Sequence, residues 1–467
     1  MLQDRQIGGG PRRFVRRAEL RLPVFDTVTS ARALMGMSLA FHICFTAIGI
    51  GLPLLLFIAE GIALRTGDET YRQMAKRWGR IAAVLFAIGA VSGTILSFEF
   101  GLLWPTWMEF SGGIIGFPFA LEGFAFFTEA IFLALYIYGW DRLSPRAHWL
   151  CTIPLVVSSA ASAFFVISAN GWMNQPAGFE MVNGKAVNVD PLAAMFNAAM
   201  PYEVTHGALA SYVATGFAVA GVYAIAMLRG DRSDYVRKAL LLGLAVAAVS
   251  TPLQIISGDL SARFLAHNQP EKFAAMEGQF DTEQGAPLRI GGFPDPGDRT
   301  TRYAIEIPKL ASFLAFEDFD AEVRGLNSFP QDEIPDPRLV HYSFQAMVGI
   351  GFFMLAVAAW VLGLAWWRKR IDPGRVPLLA LAATLPLGFV AIEAGWFVTE
   401  FGRQPWIIYQ LMRTDEAATP REGIGFILLV FVLIYIALAA GLALLLLREQ
   451  RRPLEPGARP GEAPDAA

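Results

Sequence analysis

Nine stretches of mostly apolar residues recur along the chain, each near the ~20 residues a helix needs to cross the hydrocarbon core of a bilayer. They run roughly over 36–59, 81–103, 113–139, 149–169, 204–228, 239–257, 342–366, 377–400 and 423–447. Gly49, Gly51, Pro53, Pro154 and Pro386 lie inside them. Such residues weaken helices in water but are common in membrane helices. The pattern predicts an all-α polytopic membrane protein of about nine transmembrane helices with one long extracytoplasmic loop. The expected divisions are a basic N-terminal arm (1–35), helices one to six (36–257), the loop (258–341), helices seven to nine (342–447) and a disordered cytoplasmic tail (448–467).

Composition narrows the class. Only 17% of the 467 residues are charged, against about 25% in soluble domains, and mean hydropathy is +0.44. That excludes a disordered chain and most soluble enzymes. Two cysteines, Cys44 and Cys151, both in apolar runs, exclude a disulfide framework. A net charge of −3 gives no reason to expect nucleic acid as a partner.

Orientation follows from Lys and Arg in the loops. Loop 60–80 has five, 140–148 two, 229–238 four, 367–376 four and the segment after 447 four. Loops 104–112, 170–203 and 401–422 have zero, one and three. The first group is expected in the cytoplasm with the C-terminus, which leaves the N-terminus outside. The seven arginines of residues 1–35 run against this, and the four internal loops outweigh them. Residues 258–341, rich in proline and charge, form the only long polar segment between spans and fall on the outer face.

Charges inside a bilayer are costly, so ionisable residues there are functional candidates. They are His42, Glu99, Glu122, Glu129, His206 and Glu393. The two histidines suit metal or haem ligation, or else hydrogen bonding between helices. Zinc is disfavoured, because no His/Cys/Asp cluster stands at ligand spacing, whereas haem needs only one or two axial ligands from distant helices. Gly207, beside His206, would let a flat ligand approach the backbone. Met347 reads as a gap filler or as a thioether axial ligand. Glu122 and Glu129, seven apart, share a helix face and suit steps of a proton path or a pair of protonated interhelical bonds. The densest motif runs from Glu393 through Trp396 to Gly402-Arg403-Gln404-Pro405-Trp406. Arg403 could clamp a haem propionate in bidentate fashion, and Trp396 and Trp406 could be interface anchors.

These residues together resemble subunit I of the cytochrome bd-type quinol oxidases, over about residues 30–447. The resemblance rests on Phe41-His42, Ala120-Leu121-Glu122-Gly123, Phe127-Thr128-Glu129, Ala169-Asn170-Gly171-Trp172-Met173, His206, Met347 and the Glu393–Trp406 motif. Ser97-Phe-Glu99-Phe-Gly101-Leu-Leu-Trp104-Pro105 and the short polar loop are similar to the cyanide-insensitive branch. The resemblance implies His206 and Met347 as axial pair of a low-spin haem b. It implies His42 and Glu393 as ligands at a two-haem oxygen-reducing site. The cofactors it implies are two haem b and one haem d, or a third haem b in its place. Glu122 would lie beside that site and Glu129 on the proton path from the cytoplasm. Lys272 and Glu277, in Glu271-Lys272-Phe-Ala-Ala-Met-Glu277, fall on the loop's two quinol-associated positions. Gln345 stands where some members carry an arginine.

The implied function is oxidation of membrane quinol at the outer face and reduction of O2 to water with cytoplasmic protons, without a pump. The implied setting is the bacterial cytoplasmic (inner) membrane, with a homologous subunit II and, as in some members, a small single-span subunit as partners. Two other readings compete. A proton-coupled secondary transporter using the intramembrane Glu and His residues would be marked by an inverted repeat, and none is visible in nine spans. A structural membrane subunit would carry no cofactor.

Overall fold

The computed structural model describes residues 26–369 and 372–450, so the readings of the basic arm before residue 26 and of the tail after 450 lie outside the described residues. Lipid offers the backbone no hydrogen-bond partner, so each apolar run satisfies its own N–H and C=O groups as a helix. In chain order the helices are α1 (Thr27–Thr66), α2 (Glu69–Leu103), α3 (Pro105–Tyr138), α4 (Pro145–Leu150), α5 (Thr152–Asn174), α6 (Pro191–Met195), α7 (Met200–Leu228), α8 (Asp234–Asn268), α9 (Pro270–Glu277), α10 (Leu310–Phe316), α11 (Pro337–Arg368), α12 (Arg375–Gly402), α13 (Thr414–Ala417) and α14 (Ile424–Gln450). Among the described residues nine spans are long and apolar enough to cross a membrane, with α4 and α5 forming one of them.

The helices outrun the apolar stretches. α1 starts inside the segment read as an arm, α8 continues to Asn268 and α11 starts at Pro337, so the polar segment between spans is 269–336 rather than 258–341. Side-chain caps start the extra turns: Asp26 accepts from the Thr29 N–H, Ser233 from Val236 and Asp336 from Arg338. Hydropathy marks where lipid ends, and caps mark where the helix ends.

α7 is the innermost span, with 56% of its most apolar window buried, against 6% for α14 at the periphery. It packs on α8, α12, α1 and α5. At the α7–α8 crossing a Cβ on Gly216 would lie 2.8 Å from the Gly243 carbonyl oxygen, and one on Gly243 2.9 Å from that of Gly216. Only bare backbones allow so close an approach, and dispersion between them replaces the hydrophobic effect that lipid removes.

The bundle has two unlike ends. At one, ion pairs join the basic loops: Lys238 with Asp68, Arg232 with Asp372 at 2.5 Å, and Arg80 with Glu449 at 2.7 Å. At the other, residues 269–336 fold into a compact cap. α9 is buried from Glu271 to Glu277, and three short antiparallel pairs lie in the same cap, Leu288–Ile290 with Ile305–Ile307, Phe293–Asp295 with Thr300–Arg302, and Glu283–Gln284 with Glu322–Val323. The lysine-poor loops lie at this same end, where the Tyr409 N–H donates to the Met173 carbonyl at 2.9 Å and Thr419 N–H to Leu103 at 2.8 Å.

Candidate functional site

The five histidines differ in what their ring nitrogens face. His341 puts Nδ1 on the Met276 carbonyl and Nε2 on the Gly291 carbonyl, each at 2.8 Å. His148 puts Nε2 on the Tyr136 carbonyl at 2.8 Å and Nδ1 on Glu60 Oε1 at 2.6 Å. His267 lies exposed near the end of α8.

His42 and His206 keep a ring nitrogen with a lone pair. His42 Nδ1 lies 2.9 Å from Ser92 Oγ, and Ser92 donates its own hydrogen to the Gly89 carbonyl at 3.0 Å. A hydroxyl already donating to a carbonyl accepts from the ring, so Nδ1 carries the hydrogen and Nε2 the lone pair. His206 repeats this: Nδ1 lies 3.0 Å from Ser257 Oγ, and Ser257 donates to the Gln254 carbonyl at 2.9 Å. This is the tautomer that an Nε2 metal ligand needs, and a partner on the other nitrogen holds the ring in place. Each serine is followed by a glycine against the ring. A Cβ on Gly93 would stand 2.9 Å from His42 Cε1, and one on Gly258 3.2 Å from His206 Cε1. His206 Nε2 currently receives the Gln254 amide at 2.9 Å, and Gln254 Oε1 is buried without a partner.

The other expected ligands sit on helices that meet these. A Cβ on Gly395 of α12 would lie 3.1 Å from the Met347 sulfur, so this glycine opens α12 to the thioether of α11. Glu393 Oε1 accepts from the Cys44 thiol at 3.7 Å, which sets Glu393 against α1 two residues from His42. Trp396 is half-buried on the same helix. Gly207 differs from the expectation. The space left by its missing side chain is taken by Ile167, whose Cδ1 would be 2.8 Å from a Cβ there, so it serves the packing of α7 on α5 rather than a ligand.

Arg403 is 2% exposed and donates to Glu400 Oε2 at 2.5 Å, while its Nε and Nη1 are buried without a hydrogen-bond partner among the described residues. Unfilled donors on a buried guanidinium favour an anionic group, and a haem propionate fits that requirement. The axial tautomers, the glycines at the rings and these donors together fit haem.

Around Arg403 lies a buried polar cluster. Asn170 donates to Glu400 Oε1 at 2.7 Å and Asn174 to Glu203 Oε1 at 2.9 Å. Lys272 Nζ donates to Asn174 Oδ1 at 3.4 Å and to the Thr399 carbonyl at 3.2 Å. Its stem passes over Gly402, where a Cβ would lie 2.8 Å from Lys272 Cγ. Burial pushes the Lys272 ammonium below its ordinary value, and Glu203 opposes that shift. Glu277, five residues on, feels the charge of Arg289 instead, and its Oε2 is buried with no hydrogen-bond partner among the described residues. Burial raises its carboxyl to about 7, and Arg289 pulls the other way. Lys272 and Glu277 therefore occupy different sides of α9. A cavity of ≈ 750 Å³ opens beside this helix, lined by Glu271, Tyr409, Arg324, Phe329 and Phe179 among others, with neither Lys272 nor Glu277 in its wall. Tyr409 donates to Glu271 there at 2.5 Å.

On α3, Glu122 accepts from Ser162 at 3.3 Å, and Glu129 makes no side-chain hydrogen bond among the described residues. Glu99 accepts from Ser38 at 2.8 Å, one turn before His42, with its second oxygen buried and unpartnered. The sequence reading missed Ser92, Ser257, Glu203 and the Glu60–His148 pair. Two Ser-Gly dipeptides in apolar helices were the available signal for the serines.

The chain has relatives. The profile of the family described as cytochrome bd terminal oxidase subunit I matches residues 30–453. A Bacillus subtilis (strain 168) protein provisionally named cytochrome bd menaquinol oxidase subunit I is 41% identical over 429 residues, 90% of this chain and 96% of that protein. The cytochrome bd ubiquinol oxidase subunit 1 of the same organism is 32% identical, over 91% of this chain and 94% of that protein. The solved bd oxidase from Geobacillus thermodenitrificans superimposes with a TM-score of 0.87 at 41% identity, covering 92% of this chain and 99% of that one.

Proposed function

The chain belongs to the cytochrome bd terminal oxidase subunit I family, and from that premise we propose how its residues divide the work. It is a multi-pass membrane subunit of a quinol:oxygen oxidoreductase, a haem enzyme acting with a subunit II. In the proposed division His206 and Met347 hold a low-spin haem b. His42 and Glu393 serve the oxygen-reducing pair, made of a second haem b with a haem d or a third haem b. Arg403 and Trp396 border bound haem, Arg403 by pairing a propionate. Haem, when bound, would supply one-electron transfer and the site of O2 reduction.

The remaining steps belong to protein side chains. The 269–336 cap faces outward and takes quinol, where Lys272 and Glu277 bind the quinol oxygens and accept their protons. Glu129 and Glu122 hold protons drawn from the basic, cytoplasmic end of the bundle. Electrons and protons thus reach the oxygen site from opposite faces, which separates charge without a pump. The setting is the bacterial cytoplasmic membrane, with the N-terminus outside, and the partners include a small single-span subunit.

One observation supports this reading: two membrane histidines, each held by a Ser-Gly pair in the tautomer that puts the lone pair on Nε2. An optical spectrum of the purified complex, with haem extraction, tests it. His206→Ala or Met347→Leu should abolish the low-spin signal, because either removes an axial bond. An unchanged reduced spectrum in both would overturn the assignment.

A further inference from the structure

The strand pair Leu288–Ile290 with Ile305–Ile307 is inside out for a sheet in water. A sheet with one wet face ordinarily turns apolar residues to the core and polar ones to solvent. Here Arg289 is 9% exposed and turns into the cap, where its Nε donates to Glu306 Oε1, its cross-strand neighbour, at 3.1 Å. The opposite face sets Ile290 directly across from Ile305 and Leu288 across from Ile307. Ile290, Ile305 and Ile307 are exposed, Ile305 at 69%. Phe293 and Tyr303 extend this surface, Tyr303 at 85%. Tyr303 has φ 59°, a left-handed conformation that a bulky residue rarely adopts, so its ring is held outward at a backbone cost.

Contacts with α11 set the height of this face against the membrane. The Gln345 side chain bonds the pair as a further strand would: its Oε1 accepts from the Gly291 N–H at 3.1 Å and its Nε2 donates to the Arg289 carbonyl at 2.9 Å. His341 Nε2 lies 2.8 Å from the Gly291 carbonyl. His341 and Gln345 bracket Tyr342, where the apolar stretch of α11 begins, and stand about 6 Å apart along the helix. The pair therefore stands at the depth where hydrocarbon gives way to headgroups. Phe293 meets Tyr342 edge-on, with ring centroids 6.2 Å apart. Tyr342 heads a stripe of exposed residues at helical spacing on α11, which continues through Ala346, Gly349, Phe353, Ala356 and Trp360. Exposed along the length of an apolar span, that stripe faces lipid. Arg302 and Lys309, which flank the cap's apolar surface in the chain, are closed on partners, Arg302 on Asp298 and Lys309 on Asp320 at 2.5 Å.

We propose that this face is a membrane-docking surface of the cap. Ile290, Ile305 and Ile307 lie against acyl chains just beneath the headgroups of the leaflet at the capped end, and the Tyr303 and Tyr342 hydroxyls lie among the headgroups. A contiguous exposed apolar surface marks an interaction site. Lipid is the occupant because the surface runs through Phe293 and Tyr342 into the lipid face of α11 and because tyrosines with an apolar body and a polar tip suit the boundary. Docking ties the cap to the bilayer at a point other than its flanking helices, α8 and α11. The placement holds whether or not the site residues divide the work as proposed above.

The test uses the whole complex in vesicles of phosphatidylethanolamine and phosphatidylglycerol. The photoreactive residue benzoylphenylalanine takes the place of Tyr303 or, for comparison, of Glu322, which is exposed elsewhere on the cap. At 85% exposure Tyr303 can be exchanged without disturbing the fold. After irradiation, the subunit should gain the mass of one phospholipid at least tenfold more often with the label at 303 than at 322. Ile305→Asp in the protein labelled at 303 should cut that adduct tenfold or more, with haem spectrum and turnover unchanged. A crosslink from 303 to a protein chain in place of lipid would overturn the proposal and assign the face to a protein partner. Equal lipid adducts at the two positions, none at either, or an adduct indifferent to Ile305→Asp would overturn it as well.

Discussion

The two ends of the bundle carry charge in opposite ways. At the basic end the ions stand near water and find partners across loops: Arg232 and Asp372 are 39% and 32% exposed, Lys238 and Asp68 23% and 27%. At the capped end Arg403, Lys272 and Glu277 are all under 5% exposed, and Arg403 and Glu277 keep buried polar atoms with no partner. Exposed pairs contribute about 0–1 kcal/mol each, because water and salt screen them. A buried charge with unfilled hydrogen bonds costs free energy, so it persists where another group completes it. The comparison teaches that the exposed ion pairs at the basic end hold loops together, whereas the charges buried at the capped end are left for another group to complete.

The largest effect that could break this comparison is at Arg403. Arg403→Leu removes the guanidinium from beside Glu400 and leaves that carboxylate with Asn170 alone. Glu400 is 32% exposed, so losing its partner costs less than the about 3–5 kcal/mol of a fully buried pair. The variant complex should melt at a clearly lower temperature and lose haem on purification, and Arg403→Lys, which keeps charge but not the planar fork, should fall between. If Arg403→Leu kept wild-type melting temperature and haem content, the capped end would be no more dependent on its charges than the basic end.

How far the sequence revealed this contrast differs between the two ends. The nine spans and the basic loops were legible, since apolar runs report directly on lipid and Lys/Arg counts on which loops share an end. The cap was not. Its strands are two or three residues long, too short for any period, and its polar cluster joins residues far apart in the chain, as Lys272 to Asn174 across 98 positions. Glu203 and Glu400 had a signal, as carboxylates at the ends of apolar helices, but only folding puts them beside Arg403 and Lys272. Ser92 and Ser257 were hidden for another reason. Serine in a membrane helix commonly donates to its own helix carbonyl, and both do so here while also accepting from a histidine. Glu60 and His148 were read as loop residues because α1 runs on past its apolar stretch to Thr66.

A smaller effect, which sharpens the comparison, is the pH dependence of Glu277. Burial raises its carboxyl from 4.5 to about 7, so the folded protein binds this proton more tightly than the unfolded chain. The stability it contributes is present in full below about pH 4.5 and is lost as pH rises through about 7. The proposed acceptance of a quinol proton has the opposite sign and would rise through about pH 7 as the carboxylate forms. Glu277→Gln should therefore slow quinol oxidation by roughly 100-fold with haem content unchanged, and flatten the rise in rate around pH 7. The same variant should be more heat-stable than wild type at pH 8 and about equal at pH 4. A normal rate with an unaltered pH profile would remove Glu277 from the quinol chemistry.

The smallest effect is expected at Arg232, and its smallness is what gives it value. The pair with Asp372 is short, 2.5 Å, yet both side chains are about a third exposed. It ties the turn between α7 and α8 to that between α11 and α12, where each turn is already held by the helices that enter and leave it. Arg232→Ala should shift stability by less than about 1 kcal/mol. Raising salt should narrow the gap from wild type, since screening already weakens the pair in the parent. Turnover and haem spectrum should stay unchanged. Melting curves at low and high salt read both points. A loss of several kcal/mol that salt does not reduce would mean that the basic end, too, depends on charges behaving as buried ones, and the division of labour between the two ends would fail.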